Sequence, residues 1–261
     1  MASIEEVKAF WDERPCNIRH SQLEIGTKDY FDQVEDRKYF VEPHIPNFAE
    51  FEKYRGKKVL EIGCGIGTDA VNFARAGAFY TGIDISTESL KISKQRFKVY
   101  SLSGEFFQGN AETITESLSN RKFDLIYSFG VLHHTPNILN ALIQIRTLCH
   151  KTSELKFMVY AKNSWKNASI ESGLDQPEAQ FGCPIANVYS KREIHELMSI
   201  SGFKCLEIDQ SHIFPYKVEK YVKYEYEYED WFRAMPKSMF SKLEKVLGWH
   251  LLVKAVPSDA I

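Results

Sequence analysis

The chain has no Cys-x-x-Cys pair. Its five cysteines, Cys16, Cys64, Cys149, Cys183 and Cys205, are scattered and odd in number, which excludes a disulfide framework and fits a reducing, cytoplasmic compartment. No run of Cys, His and carboxylates has metal-ligand spacing, so no metal site is expected. Lysine and arginine form no long run and the formal net charge is −2, which argues against a nucleic-acid backbone as the main partner, because that binding needs clustered cations. No apolar stretch is long enough to cross a bilayer, and the N-terminus has no basic segment followed by an apolar one, so neither a membrane span nor a secretory leader is expected. No linker rich in Gly, Ser or Pro divides the 261 residues, and one α/β domain over 1–261 is the reading.

What is present centres on V-L-E-I-G-C-G-I-G-T-D-A, Val59 to Ala70. Val59 to Ile62 are apolar and β-prone apart from Glu61, as suits an inner strand of a parallel sheet. Gly63, Gly65 and Gly67 follow at every second position and let the backbone turn sharply against a ligand, while the helix that begins there points unpaired N–H groups into the turn. A second apolar run, Ala78 to Ile83, ends at Asp84, 21 positions after Gly63, where a carboxylate can accept from both hydroxyls of a ribose. Dinucleotide sites usually read G-x-G-x-x-G and hold a pyrophosphate. The spacing here is G-x-G-x-G, with a carboxylate, Glu61, that suits a cation better than a pyrophosphate.

The pattern E-x-G-x-G-x-G resembles motif I of the class I S-adenosylmethionine-dependent methyltransferases. The resemblance covers roughly Val59 to Ala161 and implies a Rossmann-like seven-stranded sheet, mostly parallel, whose antiparallel last strand is inserted between the fifth and the sixth, with helices on both faces. It implies S-adenosylmethionine as cofactor, held by Glu61, Gly63, Cys64, Gly65, Gly67, Thr68 and Asp84, with Ile85 on the adenine ring. Gly109-Asn110-Ala111 resembles the family's G-D-A segment with Asn110 in place of the aspartate; its amide oxygen can still accept from the adenine amino group, and the Ala111 N–H would donate to the ring. Backbone carbonyls near Ser128 and Phe129 would hold the cofactor's amino group.

Strands are expected at Val59–Ile62, Ala78–Asp84, Glu105–Gln108, Phe123–Ser128, Glu154–Ala161, Gly202–Ile208 and Trp249–Ala255. Ser3 and Glu6 make a capping box for a first helix carrying Ile4, Val7, Phe10 and Trp11 on one face, and Pro136 is expected to start the helix after the fourth strand. Residues 1–50 read as a helical lid, with Tyr30 and Phe31 either over the cofactor or in the core; residues 51–161 read as the cofactor core and 162–261 as the last strands with substrate-side insertions. Those insertions hold Trp165, the segment F-G-C-P-I-A-N, Tyr216, and then Tyr221, Tyr224, Tyr228 and Trp231 at helical spacing, although Tyr224 to Glu229 also alternates like a strand. Trp165, Tyr216, Tyr221 and Tyr224 are the candidate substrate contacts, as ring faces with nearby glutamates that suit a cationic amine.

The reading is methyl transfer to an N, O or C atom of a small metabolite, with His134, His133, His212 and Tyr160 as candidate proton acceptors. An RNA or protein methyltransferase, an NAD-linked oxidoreductase and a non-catalytic module on the same fold stay open at this point.

Overall fold

The computed structural model describes residues 2–173 and 182–258. The strands are β1 (Lys58–Ile62), β2 (Phe79–Asp84), β3 (Glu105–Gln108), β4 (Phe123–Phe129), β5 (Cys149–Ala161), β6 (Val188–Tyr189), β7 (Phe203–Ser211) and β8 (His250–Pro257). Leu60 and Ile62 of β1 enter one apolar core and Val59 the other. A strand covered on both faces belongs inside a parallel sheet, and β1 pairs in parallel with β2 and β4. The strand order is β3-β2-β1-β4-β5-β8-β7, with β8 antiparallel to both neighbours.

The helices are α1 (Ile4–Glu13), α2 (Lys28–Val41), α3 (Ile45–Ala49), α4 (Thr68–Arg75), α5 (Thr87–Val99), α6 (Ile114–Leu118), α7 (Ile138–Thr147), α8 (Trp165–Glu171), α9 (Lys191–Ile200), α10 (Val218–Tyr221), α11 (Asp230–Arg233) and α12 (Lys237–Leu247). Residues of α6, α7 and α9 fill the core on one face of the sheet; residues of α3, α4 and α5 fill the other. The Rossmann-like architecture expected from the sequence is therefore present, including the inserted antiparallel strand.

Four local expectations need correction. β6 is an eighth strand, two residues long and paired with β5, too short to leave a periodic signal. β5 starts at Cys149 rather than Glu154, because a register shift between Phe123 and Leu125 lets pairing begin at Phe123 and Cys149. α7 starts at Ile138, not Pro136: the Asn137 side chain accepts from the Asn140 amide and supplies the cap. The aromatic stretch from Tyr221 to Trp231 is neither one helix nor a strand. It breaks at Tyr224, whose φ is 65°, and an isolated antiparallel bridge joins Tyr216 to Tyr228. The cause is Arg37, whose guanidinium lies 4.0 Å from the Tyr221 ring and 3.8 Å from the Tyr224 ring and donates to the Tyr221 carbonyl at 2.5 Å. The rings clasp a cation from α2 instead of packing along one helical face.

The helical N-terminus crosses the carboxyl ends of the parallel strands. α1 docks on the start of α5: the Ser86 hydroxyl donates to the Trp11 carbonyl at 3.2 Å and the Thr87 amide to Asp12 at 2.7 Å. Tyr30 and Phe31 are fully buried against Ile66 and Ile92, so they are core and not a cover over the cofactor. Among the described residues, no helix is long and apolar enough to cross a membrane.

Candidate active site

The strand ends, the glycine turn and the N-terminal helices enclose a cavity of about 540 Å³. Gly63, Gly65 and Gly67 all have φ between 52° and 79°, a backbone that side chains resist. They serve different ends. A Cβ on Gly63 would lie 2.1 Å from a Val131 methyl and one on Gly67 2.5 Å from the Ser93 hydroxyl, whereas nothing lies within 4 Å of a Cβ on Gly65. Gly63 and Gly67 allow close packing, and Gly65 keeps open space at the cavity wall.

Asp84 is held between two turns. Its Oδ2 accepts from the Gly65 amide at 2.7 Å and its Oδ1 from the Ser86 amide at 2.8 Å. Burial pushes its carboxyl up to about 6 against the pull of those backbone bonds. Each oxygen keeps further acceptor capacity for a ligand hydroxyl. Glu61 is buried on the same floor, where the Tyr80 hydroxyl donates to it at 2.6 Å. Burial, and next the charge of Asp69, push the Glu61 carboxyl well above the usual range. Asp69 itself accepts from Lys38 at 2.7 Å and from the Tyr39 and Tyr127 hydroxyls at 3.0 Å, tying α2 to the start of α4. Lys38, Glu61, Asp69 and Asp84 line this floor, and Arg14, Arg19, Arg37 and Glu42 line the same cavity, so four cationic and four acidic side chains face it. Asp84, bonded to the Gly65 amide, and Glu61 stand at the glycine turn, where a carboxylate opposes a pyrophosphate.

Most of the residues read as cofactor contacts gather here: Glu61, Gly63, Cys64, Gly65, Thr68, Asp84, Ile85, Asn110, Ala111 and Phe129 all line the cavity. Asn110 also acts as a turn residue, since its Oδ1 accepts from the Glu112 amide at 3.0 Å. Thr68 accepts from Arg96 at 2.8 Å. Gly67 and Ser128 do not line the cavity; the buried Ser128 hydroxyl donates to the Ile62 carbonyl at 3.1 Å.

The candidate proton acceptors divide. His134, His212 and Tyr160 line the cavity, whereas His133 is buried behind it with its ring centroid 3.7 Å from that of Tyr160. The Ile185 carbonyl can only accept, so His134 donates to it from Nδ1 at 2.5 Å and carries its lone pair on Nε2. Burial lowers both His134 and His212 to about 4, leaving neutral imidazoles at neutral pH. Among the substrate candidates only Tyr221 reaches the cavity. Trp165 packs on Phe232, 5.3 Å away between centroids, and borders a separate small recess. Tyr216 stacks on Phe40, and Tyr224 donates to the Arg19 carbonyl at 2.8 Å. Of the F-G-C-P-I-A-N segment, Phe181 lies outside the described residues.

Sequence reasoning missed Lys38, Asp69, Arg37, Trp249 and His250. Lys38 and Arg37 belong to a helix that reads as a charged surface, and only the burial of its charges marks it out. Trp249, expected as the first residue of the last strand and placed just before β8, stacks on Tyr160 with centroids 4.3 Å apart and lines the cavity.

A family model describing a methyltransferase domain matches residues 34–208, well over half of the chain. The chain belongs to that family, and the motifs set it among the class I S-adenosylmethionine-dependent methyltransferases. The ubiquinone biosynthesis O-methyltransferase of Actinobacillus pleuropneumoniae serotype 5b is 34% identical over 105 residues, covering 39% of this chain and 45% of that protein. The enzyme of the same name from Salmonella paratyphi A is 31% identical over 119 residues, covering 44% and 48%. The chain thus spans just under half the length of these curated relatives. Among solved structures, magnesium protoporphyrin IX methyltransferase from Synechocystis PCC 6803 with bound SAH superposes with a TM-score of 0.59 at 15% identity, over 98% of this chain and 94% of that one. A SAM-dependent methyltransferase from Aquifex aeolicus gives 0.56 at 14% identity, over 88% and 97%. At these identities the likeness is one of fold.

Proposed function

We propose that this cavity holds S-adenosylmethionine and that the chain, acting as one methyltransferase domain, transfers its methyl group to an N, O or C atom of a small molecule enclosed with it. The observation that carries the reading is the joint presence of Asp84, bonded to the Gly65 amide, with Glu61 beside it and open space at Gly65. Asp84 would accept from the ribose hydroxyls, Asn110 and Ala111 would meet the adenine, and Glu61 would face the cationic end. The bound sulfonium supplies an already activated methyl group.

The rest falls to the chain. Ile4, Val7 and Trp11 of α1 and Tyr221 and Trp249 from the C-terminal part close apolar surface over the acceptor and exclude water. Enclosure of this kind favours a small acceptor over a nucleic-acid surface. His134, neutral and with its Nε2 lone pair fixed by the bond from Nδ1, is assigned the acceptor's proton where one must leave. The five cysteines are free, consistent with a reducing cytoplasmic setting.

Incubating the protein with S-adenosylmethionine and a panel of small amines, phenols and carbon acids, and measuring S-adenosylhomocysteine release, tests the activity. Acceptor-dependent release that His134→Ala lowers by about 100-fold is the expected result. Release for no acceptor class, by protein that binds the donor, would overturn the catalytic reading.

A further inference from the structure

At the end of α2 and the start of α3, Glu42 and His44 meet His250, the first residue of β8. One ligand-type atom from each of the three lies within 4.8 Å of the others. His44 Nε2 is 3.0 Å from His250 Nδ1, and His250 Nδ1 is 3.8 Å from Glu42 Oε1. These two edges, 3.0 and 3.8 Å, are close to the donor separations that first-row metal bonds of about 2.0–2.2 Å produce. His250 is almost fully buried and Glu42 partly so, and both line the main cavity.

We propose that Glu42, His44 and His250 form a binding site for a divalent transition-metal ion, zinc or iron(II) in type. Two imidazoles and one carboxylate suit borderline ions rather than magnesium or calcium, which prefer oxygen donors. Three protein ligands leave coordination positions open, and the cavity is where an open position can be reached. His212 stays beside the trio: its ring stacks on His250 with centroids 4.5 Å apart and planes at 26°, a face contact rather than a ligand geometry. Lys38 is the opposing positive charge, and its ion pair with Asp69 offsets it. A hydrogen bond between two neutral imidazoles accounts for the His44–His250 distance, and Lys38 attracts Glu42; the metal reading rests on the convergence of the three ligand-type atoms at the cavity wall.

Such an ion gives the cavity a place for a metal-ligating hydroxyl oxygen. Resting on the methyl-transfer reading, this narrows the acceptor to a hydroxyl-bearing molecule anchored through that oxygen. The metal site itself rests on geometry alone.

The test is metal binding by the full chain. Protein stripped with EDTA is dialysed against Zn²⁺, and separately against Co²⁺ to read the visible d–d absorption of the bound ion. One equivalent bound, with cobalt absorption typical of nitrogen and oxygen ligands, is expected. Glu42→Gln and His250→Gln should each weaken it by about tenfold or more, and the exposed His195→Gln should leave it unchanged. Circular dichroism checks that each variant is folded. Glu42→Gln keeps the side chain's shape, so the proposal stays falsifiable if His250→Gln does not fold. No stoichiometric uptake by the wild type, or uptake that survives Glu42→Gln, would overturn it. Calorimetry of S-adenosylmethionine on the metal-free protein is a separate readout, so failure of the metal site and failure of the methyl-transfer reading are told apart.

Discussion

Asp84 Oδ2 accepts the Gly65 backbone N–H at 2.7 Å, so the carboxylate that ends β2 is fastened to the glycine turn that ends β1. The carboxyl is buried, and burial raises it from 3.8 to about 6 in the folded chain. The folded state therefore holds this proton more tightly than the unfolded one. Its contribution to stability is greatest below about pH 4 and is lost as pH rises to about 6, in all about 3 kcal/mol. Urea denaturation from pH 4 to pH 7 should show this slope, and Asp84→Asn should flatten it. S-adenosylmethionine affinity should move the other way, rising through about pH 6 as the carboxylate gains its charge and acceptor capacity. An affinity that falls over that range would contradict the assigned role.

Two glycines of one turn should respond differently to alanine. At Gly63 the new methyl would lie 2.1 Å from Val131, inside contact distance. At Gly65 it would meet open space, and only the left-handed backbone, at φ 52°, resists it. Gly65→Ala should cost about 1–2 kcal/mol of stability but weaken S-adenosylmethionine by more than tenfold, because the methyl occupies the cavity wall. Gly63→Ala should cost several kcal/mol, through clash as well as backbone strain. Denaturation and calorimetry on both variants give the comparison; equal stability losses would count against it.

Lys38 and Asp69 pair at 2.7 Å with side chains 11% and 1% exposed, joining α2 to the start of α4. Removing Lys38 leaves the buried Asp69 carboxylate with the Tyr39 and Tyr127 hydroxyls but without its ion-pair partner. Lys38→Met should cost about 3 kcal/mol or more, and adding Asp69→Asn should recover part of that loss. A double variant whose loss is the plain sum of the singles would show that the pair is not coupled.

Much of this molecule is readable from local pattern. β1 and the glycine turn are one contiguous signal, and Asp84 closes a second apolar run 21 positions after Gly63. The fold follows because apolar, β-prone runs recur at β2, β4 and β8, strands buried on both faces. The N-terminal helices and the C-terminal insertion were not legible in the same way. Tyr30 and Phe31 carry the same aromatic character whether they cover a ligand or pack on Ile66, and only the orientation of α2 decides. Tyr224 was misplaced because its conformation is set by Arg37, far away in sequence. Glu42, His44 and His250 meet only because β8 is threaded between β5 and β7, a consequence of topology that no spacing announces.

The central claim is that the Gly63–Asp84 constellation binds S-adenosylmethionine, and calorimetry of wild type beside Asp84→Ala tests it most directly. The account predicts one site per chain in the wild type and an affinity at least about tenfold lower in the variant, which removes a buried, hydrogen-bonded carboxylate that meets the ligand. Folded wild-type protein that binds no S-adenosylmethionine, or binds it equally well without the Asp84 carboxylate, would contradict it.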